Sequence, residues 1–545
     1  MSLHSANDIF NQPPPLENFN RYAGNRALRD AVRREEAGWA DGELLECGAE
    51  LGAAEWLARG DLANRFPPRL RLFDRFGHRR DEFEFHPAWH ECLDWIKARG
   101  LAGASWADTR RGAQVRRAAL FQLFAEVECG SLCPATMTYG AVPVLAREAE
   151  LAEHWPRLLQ QPVYDRRFIP APQKSGLLMG MGLTERQGGS DVRANTTRAD
   201  PAGGGWYRLH GHKWFFSAAM CDAFLVTAQA PGGLSCFFLP RFTPDGARNA
   251  IHILRDKDKL GDRSNASAEV AFEGALARLV GEEGRGVATV LEMANYTRLD
   301  CANGSAGIMR AALAEALHCA RHRQAFGKPL IEQPLMANVL ADMALEVEGH
   351  VALCLKVAAC VDGQERDESA ALLKRLLIPA AKYWVCKRTP ALIAEAMEAT
   401  GGNGYVEDGP MPRLFRQSPL NSIWEGAGNI MCLDVLRVLE REPRVAELLV
   451  AWLDGARGLA TAYDRALDDL KRWFGARTLG QADARRLSQH IALLSEAALL
   501  LEDGPSTVAE AFCASRFDGG DGRAFGTLAA NTDFRAIVDR ALPAG

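Results

Sequence analysis

No apolar run among the 545 residues approaches the length needed to cross a bilayer. The opening Met1-Ser2-Leu3-His4-Ser5-Ala6-Asn7-Asp8 also lacks a charged leader followed by an apolar core. Neither a membrane anchor nor a secretory leader is expected, and the cytoplasm is the expected location. Positive charge is not in excess: the formal net charge is −5 and the pI near 6.2, which excludes a chain that is basic throughout. The glycine-rich stretch 180–191 lacks both the GxGxxG spacing of a dinucleotide-binding turn and the lysine and hydroxyl residue that complete a P-loop. His318 and His322 are four apart, as are His86 and His90, but no third ligand of suitable spacing joins either pair, so no metal is expected. The 13 cysteines are odd in number and form no short-spaced framework, which fits reduced thiols rather than disulfides. Internal repeats are absent, and low complexity is limited to Pro13-Pro14-Pro15.

What is present is a long chain, 48% hydrophobic, sufficient for several domains and a substantial core. Residues 1–175 open with the linker-like Asn11-Gln12-Pro13-Pro14-Pro15 and continue as helical patterns broken at Pro67-Pro68 and Pro170-Ala171-Pro172. Residues 176–285 carry short β-rich runs, and 223–228 and 234–239 flank Pro231-Gly232-Gly233 as in a hairpin. Apolar residues then recur at helical spacing over 286–325, 332–360, 369–399 and 429–441, within a helical region 286–444. A separate helical region, 445–545, is expected from patterns at 444–474, 481–502 and 505–516. The fold class is mainly α with a central β domain: helical bundle, small barrel-like β domain, helical bundle and a C-terminal helical extension.

Three segments carry residues suited to chemistry. Asn421-Ser422-Ile423-Trp424-Glu425-Gly426-Ala427-Gly428-Asn429 sets one carboxylate on a glycine-flanked turn before an apolar helix at 430–439. Gly426 and Gly428 allow positive φ, and Asn429 suits an N-cap. These residues fit a catalytic base or a structural loop with a solvated acid, and alone do not decide. Gly180-Met181-Gly182-Leu183-Thr184-Glu185-Arg186-Gln187-Gly188-Gly189-Ser190-Asp191 reads as a loop whose amides and hydroxyls cradle an anion, or as a surface turn. In Leu209-His210-Gly211-His212-Lys213-Trp214-Phe215-Phe216-Ser217, a turn at Gly211 delivers three aromatics to one strand, either as core or as a stacking surface.

In their order along the chain, 180–191, 209–217 and 421–429, the segments resemble the acyl-CoA dehydrogenase family of flavoproteins. Two more of its motifs follow, Arg321-His322-Arg323-Gln324-Ala325-Phe326-Gly327-Lys328-Pro329-Leu330 and Gly401-Gly402-Asn403-Gly404-Tyr405, and the likeness spans roughly 115–441. It implies FAD, with Glu425 as the base. Cofactor contacts implied by the resemblance are Met181, Gly182, Leu183, Thr184, Glu185, Gln187, Gly188, Gly189, Ser190, Trp214, Phe215, Phe216 and Ser217. From the later motifs it adds Arg323, Phe326, Gly401, Gly402, Ile423, Trp424, Gly426, Ala427, Gly428 and Asn429. Thr184 and Ser217 would bond the flavin's polar edge, Trp214 and Phe215 would pack on its rings, and Ser190 would meet the pyrophosphate. Relatives with the base elsewhere place it where this chain has Thr297, beside Arg298; threonine cannot serve, which leaves Glu425.

Within the family the chain is most similar to the alkylation-response AidB flavoproteins. Thr-Glu-Arg-Gln-Gly-Gly-Ser-Asp-Val, Asp-Lys-Leu-Gly-Asp-Arg-Ser-Asn-Ala-Ser and the segment around Glu425 carry that likeness. It implies weak α,β-dehydrogenase activity, double-stranded DNA as a partner, and a homo-oligomer, most simply a tetramer. The alternative is a dehydrogenase of an unidentified thioester with no DNA role. DNA contacts are expected from Arg437, Arg441 and Arg444 at near-helical spacing, and from Lys471, Arg472, Arg477, Arg485 and Arg486, among which Asp483 is the one acid. A charge run of this kind also suits a solvated helix face.

Overall fold

The computed structural model describes residues 9–476, 480–518 and 524–543. The chain divides into two compact units, one formed by 58–301 and 422–430, the other by 1–57, 302–421 and 431–545. Residues 1–57 and the C-terminal extension both fall in the second unit.

The first unit is built on a seven-stranded sheet. Its strands are β3 (Met179–Gly182), β4 (Arg198–Gly203), β5 (Trp206–Ser217), β6 (Ala223–Ala230), β7 (Gly233–Pro240), β8 (Ile251–Asp256) and β9 (Ser267–Val280). The pairings β5–β9, β9–β7, β7–β6, β6–β3 and β3–β5 return to their start, so the sheet closes on itself as a small barrel. The expected hairpin is β6–β7, with Ala230 opposite Gly233. Gly211 is not a turn. It lies inside the continuous strand β5 at φ +148, where the ladder shifts register between Leu209 and His210. The region before residue 176 is also not wholly helical: β1 (Arg69–Phe73) and β2 (Arg79–Glu84) form an antiparallel hairpin directly after Pro67-Pro68. Helices Ala113–Ala125 and Leu132–Leu145 are almost entirely buried. There, Arg117 makes two bonds, 2.8 and 2.7 Å, to Asp300, and Thr136 Oγ1 donates to the same carboxylate at 2.6 Å. This anchors the stretch of helix Gly286–His322 that carries Thr297 and Arg298.

The second unit is helical around Pro334–Gly363 and Glu368–Ala399. The C-terminal helix Ala484–Asp503 packs on both, and a further helix, Phe534–Ala541, which carried no sequence expectation, packs on the former. The contact is polar as well as apolar. His350 meets Glu496 at 2.7 Å, Arg388 is bonded to Glu346, and Arg516 reaches Asp342 at 2.8 Å and Glu346 at 3.0 Å, with most of these groups buried. Such charges are stable away from water only when paired, so these ion pairs tie the extension to the preceding helices. The pattern expected over 444–474 resolves into two helices, Arg444–Leu453 and Thr461–Ala476, interrupted near Gly458 at φ +88. The linker-like start is a bound strap. Asn11 exchanges two hydrogen bonds with Gln324, Gln12 Oε1 accepts from Asn403, and the Pro14 carbonyl meets His318 at 2.8 Å.

Candidate active site

Glu425 stands on the turn before helix Gly428–Arg441, which begins two residues earlier than expected. Asn429 is therefore an exposed residue of the first turn and not the cap. Gly426 has the anticipated positive φ, +102, whereas Gly428 already belongs to the helix. Glu425 itself is left-handed, at φ +58, which no local residue pattern foreshadows. An L-residue carrying a long side chain rarely adopts that conformation, and it persists only where the surroundings impose it. Here two neighbours impose it. Thr297 Oγ1 donates to Glu425 Oε2 at 2.7 Å, and Arg298 Nε donates to the Glu425 carbonyl oxygen at 3.0 Å. Arg298 is buried at 4% exposure, so it acts on the backbone of the turn. Thr297 Oγ1 also lies 3.1 Å from the Ala294 carbonyl, so its one proton has two acceptors. When the carboxyl is protonated and donates to Oγ1, the threonine proton turns to Ala294. The hydroxyl thus serves both protonation states, which is what a base that gains a proton needs from its neighbour.

Beside Glu425, Ile423 is exposed, Trp424 half-buried and Ala427 exposed. Met181 and Gly182 are ladder residues of β3, with Met181 opposite Ser217 and Leu225. Any Cβ on Gly182 would stand 2.4 Å from the Phe216 ring. Leu183 accepts from Asn195 Nδ2 at 2.8 Å, and Thr184 accepts the Trp214 amide at 2.8 Å, which ties the loop to β5. Gly188 sits at φ +138. A Cβ on Gly189 would come 2.4 Å from Thr184 Oγ1, so only glycine lets the backbone pass there. Gln187 folds its amide back on the Ala194 carbonyl and Asn195, while Ser190 is exposed.

Two of the expected cofactor residues turn their side chains into the interior. Glu185 was expected to contact the cofactor, but its side chain is completely buried. It accepts from Lys213 Nζ at 2.8 Å, Thr196 N at 2.7 Å, Thr196 Oγ1 at 2.9 Å and Thr197 N at 3.1 Å. Burial pushes its carboxyl up, but Lys213 and these bonds prevail and lower it to about 2. Burial pushes Lys213 down to about 8 against the pull of the same partner. Glu185 is thus an internal strut. Phe216 was likewise expected at the cofactor, and is instead core: it is fully buried, 4.3 Å from the Phe224 ring. The cause is a β-bulge. Between Lys213 and Phe216 strand β5 advances three residues while β9 advances two, so both ends point inward and Trp214 and Phe215 turn out between them. Phe215 is 47% exposed, and Lys257 Nζ lies 3.7 Å from the centre of the Trp214 ring.

In the other unit, Arg323 and Gly401 come together: a Cβ on Gly401, which has φ +70, would stand 3.2 Å from the Arg323 guanidinium. Gly402 is exposed beside it. Phe326 and Gly327 form the two-residue tip of a hairpin, both at positive φ (+51 and +80), as a type I′ turn requires. Phe326 is 97% exposed.

Residues 180–275 match the acyl-CoA dehydrogenase middle domain, 284–440 the acyl-CoA dehydrogenase C-terminal domain, and 11–166 the adaptive response protein AidB N-terminal domain. The putative acyl-CoA dehydrogenase AidB of Escherichia coli is 48% identical over 94% of each chain. The chain belongs to the acyl-CoA dehydrogenase family, on its AidB side. Among solved structures, Caenorhabditis elegans ACDH-11 in complex with C11-CoA superposes with a TM-score of 0.84 at 26% identity, over 99% of this chain and 93% of that one. A Bacillus anthracis acyl-CoA dehydrogenase complexed with FAD shares the fold, with a TM-score of 0.62 at 20% identity over 79% and 81% of the two chains. The protein is accordingly an FAD-dependent oxidoreductase of the type acting on CH–CH groups. Its residues fit that cofactor: the 184–190 loop leaves backbone open beside an exposed serine, and the bulge frees an aromatic pair from the core.

The basic cluster is mostly paired. Lys471 meets Asp454 at 2.7 Å, Arg472 meets Asp469, Arg437 meets Asp434 at 3.0 Å, and Arg444 meets Glu368 at 2.8 Å. Arg441 and Arg486 have no carboxylate partner among the described residues. Arg477 lies outside the described residues. His86 caps helix Pro87–Ala98, and His322 bonds the His318 carbonyl, local structural roles for both. Among the described residues no group of three ligands that could hold a metal is found, and no helix is long and apolar enough to cross a membrane.

Proposed function

We propose that the protein removes two hydrogens from adjacent carbons beside the carbonyl of an acyl thioester, with Glu425 as the base and with low turnover. The observation that carries this is the Glu425–Thr297 pair on a backbone held at φ +58. Strain of this kind is retained where a side chain must point in one direction. Glu425 takes the α-proton, Thr297 follows its change of protonation, and Arg298 keeps the turn in register. FAD, when bound, supplies the hydride acceptor for the β-carbon. Thr184, Ser190 and Ser217 would bond its polar edge and pyrophosphate, Trp214 and Phe215 would pack on the ring system, and, as the family resemblance implies, Arg323 of a neighbouring subunit would hold the adenine-dinucleotide end. The test is anaerobic single-turnover mixing of the yellow holoprotein with acyl-CoA thioesters of graded chain length. Bleaching of the flavin supports the reading, and no bleaching with any thioester overturns it. Ser190→Ala and Arg323→Ala should each weaken FAD retention by about 1–3 kcal/mol.

The same proposal places the protein in the cytoplasm, in the alkylation response, as a homotetramer bound to duplex DNA. Supporting self-association, Phe326 is 97%, Leu335 82% and Tyr405 81% exposed, a degree unusual for large apolar groups. Support for DNA comes from the AidB likeness and from Arg441 and Arg486. Affinity should fall with salt at a log–log slope of about −0.9 per phosphate neutralised, and Arg441→Glu with Arg486→Glu should lower it. Equal binding in the double variant would put the DNA contact elsewhere, and no binding by the native protein would leave the DNA-free dehydrogenase as the reading.

A further inference from the structure

Helices Thr461–Ala476, Ala484–Asp503 and Ser506–Phe517 enclose a cleft of about 790 Å³, together with Tyr383. This volume suits a small molecule, in the usual range of about 300–1,000 Å³. Its lining joins flat rings to guanidinium groups. The Arg486 guanidinium carbon lies 4.4 Å from the centre of the Trp473 ring, and that of Arg485 lies 6.0 Å from Tyr383. His490 stands 4.7 Å from Trp473 and is fixed by a 2.7 Å contact with the Ala466 carbonyl. The floor is rigid, because Arg516 is bonded to buried Asp342 and Glu346. The two acids of the lining are neutralised: Asp469 by Arg472 and Asp468 by Arg457. For a ligand the cleft offers the Arg486 guanidinium beside an aromatic wall.

We propose that this cleft binds a single unpaired nucleotide, its base stacked on Trp473 and its phosphate held by Arg486. Arginine forks match phosphate oxygens, and every base has a face that an indole can meet. A closed duplex offers phosphates on a convex surface and hides its base faces, so it would touch the rim without filling the cleft. The ligand chemistry is that of a nucleobase bearing a phosphate, whether from a free mononucleotide or from an unpaired position in a DNA strand. The inference goes beyond the flavin chemistry and does not depend on it, nor on duplex binding.

Calorimetry on the full-length holoprotein tests it with adenosine monophosphate, adenosine, inorganic phosphate, a short single-stranded oligonucleotide and its blunt duplex. The monophosphate should bind at least about tenfold more tightly than adenosine or phosphate alone. Trp473→Ala should weaken it by about 5- to 100-fold, Trp473→Phe much less, and Arg486→Glu should abolish it, with flavin absorbance and reduction unchanged in all three. Competition by the single strand would identify a DNA strand as the source, and its absence would identify the free nucleotide; the duplex, which reaches Arg486 but hides its base faces, should compete much more weakly, and a duplex that competes as well as the single strand would overturn the proposal. The proposal is overturned if the monophosphate does not bind, if phosphate alone binds as well, or if Trp473→Ala binds like the native protein.

Discussion

Glu185 and Glu425 occupy glycine-flanked loops of the same unit, sit in segments of equal apparent promise, and have opposite lives. Glu185 is fully buried and locked by an ammonium group, two backbone amides and a hydroxyl. Its carboxyl is held at about 2, far below the range in which it would trade protons with a substrate. Glu425 is half-buried, receives a neutral hydroxyl that changes direction with its protonation, and has a guanidinium directed at its backbone carbonyl. A carboxylate saturated by charge is scaffold, whereas one steered by a hydroxyl and a strained backbone is poised to react.

The comparison breaks most decisively at Glu425→Gln. The amide keeps the shape and loses the basicity, so thioester-dependent flavin reduction should fall about 100- to 10,000-fold, while the unfolding midpoint in denaturant stays near that of the native protein. Equal reduction in both proteins would mean that the base is elsewhere. Glu185→Gln should do the reverse. It strands buried Lys213 and should cost about 3–5 kcal/mol of stability in denaturant unfolding, while any holoprotein that survives still bleaches with thioester. The sign with pH is definite: Glu185 has a folded value near 2 against an ordinary 4.5, so its contribution is present above about 4.5 and is lost as pH falls toward 2. The variant should lack that acid limb.

The helical unit extends the contrast with a buried histidine. Burial alone would lower His350, but Glu496 and Glu346 prevail and raise it to about 9. A group raised on folding stabilises below its unfolded value, here about 6.5, and the contribution declines as pH climbs through 9. Stability should therefore fall by a few kcal/mol between about pH 6.5 and 9, and His350→Gln should flatten that slope in parallel denaturant titrations. A slope unchanged by the substitution would show that the cluster does not bind the proton.

The long helices were legible because alanine and leucine at helical spacing persist over many turns between glycine and proline: 332–360 and 369–399 are Pro334–Gly363 and Glu368–Ala399. The β6–β7 turn was legible from Pro231-Gly232, and Glu425 from its glycines. What escaped depends on contacts distant in sequence. The bulge that separates Trp214 and Phe215 from Phe216 exists only as a register difference with β9. The burial of Glu185 requires Lys213, 28 residues away. The helical patterns of 445–545 are legible by themselves, but not that Glu496 and Arg516 are partners of residues in the preceding bundle. Deleting that region would strip this core, so charge reversal at single arginines is the sounder probe of DNA binding.

The smallest expected effect, and the most discriminating, is at Thr297. If its hydroxyl only fills space, Thr297→Val is nearly isosteric and should leave catalysis unchanged. If it steers Glu425, removing it leaves the carboxylate to find its direction without the 2.7 Å bond and leaves the protonated carboxyl without its acceptor. A hydrogen bond to a charged group contributes on the order of 1.5 kcal/mol, so flavin reduction should slow by about tenfold, with little change in thioester affinity. Thr297→Ser restores the hydroxyl without the methyl and should recover most of the rate. A valine variant as fast as the native protein, or a serine variant as slow as valine, would reduce Thr297 to packing and leave Arg298 and the left-handed backbone as the features that distinguish Glu425 from Glu185.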